Sequence, residues 1–141
     1  MSAFTEAEIE YLRGGRLGRL ATVGRDGRPH IAPVTFVFNP DEDAIDIGGV
    51  FFADTKKWRD VQHDPKVAFI VDDSTGTSAR GVEIRGEAEP HTSGGESINP
   101  RFPQFKPEFI RIRPTRIVAW GIESVESGQD FAPNARDVPA D

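Results

Sequence analysis

The sequence contains no cysteine, which excludes a disulfide framework, a thiolate metal site and a thiol nucleophile. Its three histidines, His30, His63 and His91, lie far apart and show no metal-ligand spacing, so we expect no metal site. Long apolar runs are missing as well. Residues 67–71 form one of the longest, far short of the roughly 20 residues that a membrane helix needs, so we expect no membrane partner.

Positive charge is scarce, because 23 acidic residues outnumber 17 basic ones and the formal net charge is −6. This balance disfavours nucleic acid as a partner, since a duplex binds to basic surfaces. The N-terminal residues contain neither the charged segment nor the apolar stretch of a signal peptide, which predicts a cytoplasmic protein. A chain of 141 residues suits one domain that can bury its own core.

Short strands separated by turns dominate the pattern. Thr5 and Glu8 have the spacing of a capping box, which predicts a first helix at residues 5–13, and a second helix is expected at residues 55–63. Six or seven short strands with two short helices predict a mainly-β fold, a small antiparallel barrel without exposed edges. The predicted strands are residues 17–23, 31–38, 44–52, 67–71, 82–88, 109–113 and 116–122.

Two segments fit neither a strand nor a helix. Residues 91–108 contain two adjacent glycines and three prolines, and structureless loops of that length are usually functional or disordered. Residues 124–141 are acidic and poor in apolar groups, which predicts a disordered tail that is dispensable for folding and for cofactor binding. The barrel domain is therefore expected to span residues 1–123.

Two lysines are the most informative chemical feature. Lys56 and Lys57 fall in the first turn of the second predicted helix, where the helix dipole disfavours cations. A bound phosphate would reverse that penalty, so the two amines, together with the Thr55 hydroxyl, are candidate phosphate ligands. The alternative is that both lysines are solvated and pair with Asp60. Spacing alone leaves both interpretations open.

Other candidate residues are less specific. Small residues and prolines at 29–35 let a flat ligand approach a strand backbone, although an ordinary edge strand would look the same. His30 in this segment is expected to be a surface strand residue rather than a catalytic base. Trp120 could stack on a ring system or pack in the core. The sequence shows no Ser–His–Asp order, paired carboxylates or phosphate loop, which is typical of an enzyme whose chemistry resides in a redox cofactor.

In order along the chain, these segments resemble the pyridoxamine-5'-phosphate-oxidase-like split β-barrels, which bind FMN or a deazaflavin. The resemblance runs from residue 4 to about residue 123. It rests on LGRLATV (17–23), DGRPH (26–30), PV (33–34), TKK (55–57), DPKVAF (64–69), RGVEIRGEA (80–88), IRIRP (110–114) and RIVAWG (116–121). No single segment is decisive, but the ordered set is specific.

Within that superfamily, the TKK turn and the RIVAWG ending resemble the subfamily that uses the deazaflavin coenzyme F420. The resemblance implies a homodimer that holds its cofactor between subunits, and hydride transfer from reduced F420 to a small unsaturated or quinone-like substrate. It implies phosphate binding by Lys56 and Lys57, a ring-facing strand with Pro33, Val34 and Thr35, and a ring edge near Gly81 and Val82.

Two other functions stay open. One is an FMN-binding reductase or oxidase of the same fold, and the other is a non-catalytic flavin-binding dimer. Residues 34–38 lack the arginine and lysine with which the true oxidases of this fold bind the flavin phosphate, so pyridoxamine-phosphate oxidation is disfavoured. Residues 67–71 are apolar at every position, which predicts a strand buried on both faces, one in the barrel and one against a partner subunit.

Overall fold

The computed structural model describes residues 1–14, 17–75, 78–122 and 133–140. Its helices are α1 (Glu6–Leu12) and α2 (Lys56–His63), with short 3₁₀ turns at Phe52–Asp54 and Gly95–Ser97. Its strands are β1 (Gly18–Val23), β2 (Pro29–Asn39), β3 (Ala44–Gly48), β4 (Lys66–Thr75), β5 (Ser78–His91), β6 (Phe109–Trp120) and β7 (Asn134–Asp137).

The strands form one antiparallel sheet in the order β3-β2-β1-β4-β5-β6-β7. Because β3 also pairs with β6, the first six strands close into a barrel, and β7 extends the sheet beyond β6. The predicted mainly-β barrel with two short helices is therefore confirmed. Closure pairs the backbone groups that an open sheet would leave at its edges.

Both helices begin at the residues that the sequence indicated. The Thr5 hydroxyl accepts a hydrogen bond from the Glu8 N–H and the Glu8 carboxylate accepts one from the Thr5 N–H, which completes the predicted capping box. Thr55 caps α2 through a hydrogen bond from the Trp58 N–H to its hydroxyl. Asp64, the residue before Pro65, has an extended backbone and ends that helix.

One face of β4 is buried within this chain and the other is not. Val67, Phe69 and Val71 point into the barrel core and are at most 7% exposed. Ala68 and Ile70 alternate with them and are only half-buried, so this chain by itself does not bury both faces. Side chains on a strand alternate between its two faces, and a single barrel covers only the inner one.

The observed strand boundaries also differ from the predicted ones. β3 ends at Gly48 rather than at residue 52, because the Gly49 carbonyl accepts from the Lys106 N–H of a distant loop. The two strands predicted on either side of Pro114 are one continuous strand, β6. Its register against β5 shifts between Arg85 and Gly86, and such an irregularity tolerates a proline that cannot donate to the ladder.

The C-terminal segment corrects the predicted tail. Residues 134–137 are the strand β7, and Arg136 on it reaches α1 across the molecule. Its guanidinium donates to both oxygens of Glu8, a carboxylate that is 0% exposed, and to the Ala3 carbonyl. The prediction of disorder is wrong for this stretch, because it counted apolar area and missed a buried ion pair. The remaining residues of the predicted tail, 124–132 and 141, lie outside the described residues.

The loop at residues 91–108 is folded around a small core that it shares with the first residue of β6. Ile98, Phe105 and Phe109 are each at most 9% exposed and pack together. The Gly95 N–H donates to the Pro107 carbonyl at 2.7 Å, and a Cβ at this glycine would lie 2.5 Å from the Lys106 carbonyl oxygen. The loop is therefore built as a compact unit that closes on itself.

Candidate functional site

The barrel divides at one point on β2. Residues 29–34 of this strand pair with β1, whereas residues 35–39 pair with β3. The strand therefore changes neighbours between Val34 and Thr35. At such a divide the backbone of a strand is not sandwiched between two partners, so a ligand can approach it closely.

A cavity of about 450 Å³ lies at this divide, and we call it the split cavity. Its described lining residues are Leu17, Val34, Thr35, Phe36, Ile98, Asn99 and Arg101. The predicted ring-facing strand thus meets the loop whose role the sequence left open. The loop residues Asn99 and Arg101 were not among the predicted site residues. The only signal for them was the unusual length and the Gly–Gly and Asn–Pro pairs of the loop.

The three predicted residues of β2 do not all face the same way. Pro33 is exposed and Thr35 half-exposed, both on the outer face, whereas the Val34 side chain is 4% exposed and packs in the core. Val34 can contribute only backbone atoms to a ligand site. Thr35 and Pro33 are the residues of this group whose side chains a ligand can touch.

The side-chain amines of Lys56 and Lys57 lie in different surroundings. The Lys56 amine lies 3.3 Å from Asp60 and forms the predicted i,i+4 pair. The Lys57 amine instead lies over the ring of Phe52, 5.4 Å from its centre. Burial lowers the pKa of Lys57, because desolvation disfavours the charged form. No carboxylate of the described residues pairs with Lys57, so it is the lysine that an added anion would compensate.

The N-terminus of α2 supplies donors beside Lys57. The first N–H groups of a helix have no partner inside it, and the Thr55 hydroxyl accepts from only one of them, that of Trp58. The Thr55 hydroxyl proton is itself donated to the Phe52 carbonyl at 2.6 Å. Thr55 therefore positions the turn, while the amides of Lys56 and Lys57 remain for a phosphate.

Asp60 is the centre of a buried polar cluster. Its carboxylate is 4% exposed and lies near the Thr22 hydroxyl at 2.8 Å, His30 Nδ1 at 3.1 Å and Lys56. Burial alone would raise the pKa of Asp60, but the hydrogen bonds from Thr22 and Lys56 and the charges of Lys56 and His30 outweigh it and lower the pKa. His30 is thus a half-buried strand residue that ties the β1–β2 hairpin to α2.

Gly81 and Trp120 form a second location. They are direct cross-strand partners on β5 and β6, and a Cβ on Gly81 would lie 2.5 Å from the indole. Val82 next to them is 0% exposed, so its side chain belongs to the core. Neither Gly81 nor Trp120 is among the described residues that line the split cavity, so within one subunit they form a location of their own.

A second cavity, of about 490 Å³, lies beside the same loop between β2, β3 and β6. His91 stacks on Phe109 there, with ring centres 4.7 Å apart. Arg111 is held by two hydrogen bonds to Asp46, which raise the pKa of the guanidinium. Because Arg111 and Asp46 already compensate each other's charge, these two residues offer a ligand in this cavity no unpaired charge.

The described residues include neither a metal-binding cluster nor a membrane-spanning helix. Among residues 1–14, 17–75, 78–122 and 133–140, no three His, Asp or Glu side chains converge into a group that could hold a metal ion. Over the same ranges, every helix is too short or too polar to cross a bilayer. The split cavity itself is lined by apolar side chains, a hydroxyl, an amide and a guanidinium, with no carboxylate or imidazole among its described lining residues.

Comparison with known proteins agrees with this architecture. The family model described as pyridoxamine 5'-phosphate oxidase matches residues 4–121. A 5a,11a-dehydrotetracycline/5a,11a-dehydrooxytetracycline reductase from Streptomyces rimosus subsp. rimosus is 41% identical over 141 residues, covering 98% of this chain and 95% of that protein.

Two solved structures share the fold. One, described as an F420 reductase, has a TM-score of 0.62 and 22% identity, covering 81% of this chain and 98% of that one. The other, an FAD binding protein from Mycobacterium smegmatis, has a TM-score of 0.61 and 21% identity, covering 84% and 96%. At this identity the likeness shows the fold alone.

Proposed function

This chain belongs to the pyridoxamine 5'-phosphate oxidase family, and from that premise we propose that it is an F420-dependent oxidoreductase. The proposed reaction passes a hydride from reduced F420 to a small unsaturated or quinone-like substrate. The observation that carries the proposal is the 41% identity, over nearly the whole of both chains, to a reductase of dehydrotetracyclines. That relative supports an oxidoreductase, and the F420 dependence is the finer part of the proposal.

The residues of the site fit a phosphate-bearing redox cofactor. Lys57 is a partly desolvated cation beside free helix amides, which suits the cofactor's phosphate. Thr35 and Pro33 offer an outward strand surface at the split, where a flat ring can lie against the backbone. When bound, the cofactor would supply the hydride. The chain's own task is then to hold the ring, to exclude water and to orient the acceptor.

FMN is the alternative cofactor, because family members bind flavins and a structural neighbour is described as FAD-binding. The discriminating experiment incubates the purified protein with reduced F420 or with reduced FMN and a panel of quinones and enones. We expect oxidised deazaflavin to return only when protein and acceptor are both present. Acceptor-dependent turnover with FMN and none with F420 would make FMN the cofactor instead of F420. The absence of turnover with both would support a non-catalytic binding protein.

We also propose that the working unit is a homodimer. The outer face of the sheet carries a mostly apolar patch, which we call the outer patch: Ala21, Ile31, Pro33, Ala68 and Ile70, with the ion-paired Arg19 between the last-named residue and Pro33. Ile31 is 70% exposed. A subunit packed on this patch would bury the half-exposed face of β4 and could bring its own Gly81 and Trp120 to the split cavity. Obligate interfaces are apolar in this way.

The dimer predicts the behaviour of one substitution. Ile31→Glu places a charge in the outer patch, and light scattering should report a lower molar mass than for the parent at micromolar concentration. Arg28→Gln is the control, since it makes the same change of net charge at an exposed hairpin position outside the patch. A monomeric parent, or an Ile31→Glu variant that keeps the mass of the parent, would contradict the proposed interface.

A further inference from the structure

Most polar side chains that line the split cavity can donate hydrogen bonds. Asn99 Oδ1 accepts a hydrogen bond from the Arg101 N–H at 3.1 Å, and the amide NH₂ has no protein partner among the described residues. Arg101 adds a guanidinium, which can only donate. The Thr35 hydroxyl, which can donate or accept, is the remaining polar side-chain group of the described lining. Donors therefore predominate among these side chains and favour a ligand with acceptor oxygens.

The charges of the residues that line the split cavity also favour a ligand with acceptor oxygens. The protein is acidic overall, with a net charge of −6, yet the seven described residues that line the cavity include a cation and no carboxylate. Arg101 forms no ion pair within the described part of the chain, whereas Arg111 and Arg113 each meet carboxylates. A cation at the edge of a cavity that meets no carboxylate of the described residues favours an anionic or strongly polarised oxygen.

The remaining lining residues of the split cavity favour an apolar ligand. Leu17, Phe36 and Ile98 give the cavity apolar sides, so the ligand has an apolar body with oxygens at one edge. The lysines and the free amides of α2 do not line this cavity, so the phosphate site proposed above is a separate location. The loop is also held in place, because its Lys106 N–H donates to the Gly49 carbonyl and Ile98 packs in the loop core.

We propose that Asn99 and Arg101 form the edge of the split cavity that binds the hydride acceptor, a flat and otherwise apolar molecule. Both side chains donate hydrogen bonds to a carbonyl or enolate oxygen of that molecule. This assignment rests on the proposed function, of which it specifies the substrate class. Donors at such an oxygen stabilise the negative charge that grows there when a conjugated acceptor takes up a hydride. The hydride goes to carbon, a proton follows, and the acceptor is reduced as the cofactor is oxidised.

The test uses two related probes on the full chain without cofactor. 2-Hydroxynaphthoquinone is ionised at neutral pH and presents an enolate oxygen, while naphthoquinone has the same rings without it. We expect Arg101→Gln to weaken binding of the hydroxyquinone by about tenfold to a hundredfold in calorimetry. Naphthoquinone affinity should change by no more than about twofold, because a neutral carbonyl gains less from the charge.

Lys106→Gln is the matched control, because it removes an exposed cation of the same loop that does not line the cavity. It should bind both probes like the parent, and Arg101→Lys should recover part of the hydroxyquinone affinity. Equal losses for both probes, no loss for either, or no binding of either probe by the parent would overturn the assignment.

Two further measurements separate this subsite from the proposed function. If Arg101→Gln weakens F420 binding instead of hydroxyquinone binding, Arg101 serves the cofactor and the acceptor subsite is wrong. If the parent never oxidises reduced F420 but shows the Arg101-dependent preference for the hydroxyquinone, the proposed function fails while the subsite stands. If the parent turns over and Arg101→Gln keeps its hydroxyquinone affinity, only the subsite fails.

Discussion

Replacing Lys57 by alanine is expected to weaken cofactor binding by about tenfold to a hundredfold. A hydrogen bond to a charged group contributes roughly 1.5–3 kcal/mol, and each factor of ten corresponds to about 1.4 kcal/mol. Lys57 is the partly desolvated amine at the start of α2, with the Phe52 ring below it. A fluorescence titration of the parent and the variant with F420 and with FMN measures the loss, which should shrink at high salt as the charge is screened.

The same substitution should leave the stability of the cofactor-free protein unchanged or slightly higher. Because burial lowers the pKa of Lys57 below its unfolded value, the charged amine destabilises the fold at neutral pH. Stability therefore rises as pH increases through the folded-state pKa, and this rise should be absent from Lys57→Ala. Melting temperatures of both proteins across that pH range test the sign.

Lys56→Ala is the matched control for this prediction. Lys56 follows the same cap but pairs with the buried Asp60, so its loss should lower the melting temperature slightly and affect cofactor affinity less. Lys57→Arg should keep most of the affinity, since it retains the charge. If Lys56→Ala and Lys57→Ala both bind F420 and FMN like the parent, the phosphate site is not at this helix end.

Replacing Arg136 by alanine should destabilise the protein by about 3 kcal/mol, toward the lower end for breaking a buried ion pair because Arg136 is 27% exposed. The variant leaves Glu8 buried with the Thr5 N–H as its remaining hydrogen-bond donor among the described residues. For a chain of this length, the melting temperature should fall by roughly 10 °C. Thermal unfolding followed by circular dichroism measures the change.

Arg116→Ala controls for the general loss of an ion pair at β7. Arg116 also joins β6 to this strand, through Asp137 at 2.7 Å, but the two side chains are 36% and 83% exposed. An exposed pair contributes at most about 1 kcal/mol. The double variant Glu8→Gln with Arg136→Met should recover part of the stability, since no charge is left without its partner. Equal melting temperatures for Arg116→Ala and Arg136→Ala would show that β7 does not hold α1 through this pair.

Local interactions determined what could be predicted from the sequence alone. The Thr5–Glu8 capping box, the Thr55 cap and the alternation of residues 82–88 each depend on partners a few residues apart. The glycine in the β1–β2 turn, Gly27, likewise has the positive φ, 79°, that its hairpin requires. The order of such signals also sufficed for the resemblance to the family, and the family match confirms it.

Only the tertiary structure decided the rest, because the decisive contacts join distant parts of the chain. The pair of Glu8 and Arg136 spans 128 positions, so an acidic, apolar-poor segment gave no sign of the strand that it forms. The change of partners at Thr35 depends on β1 and β3 together, and it places the loop residues Asn99 and Arg101 against β2. Helix geometry put both lysines in one turn, whereas the packing of Phe52 and Asp60 decided which of them has no carboxylate partner among the described residues. Charge patterns and periodicity depend on residues that are close together along the chain, whereas a binding site depends on residues that folding brings together in space.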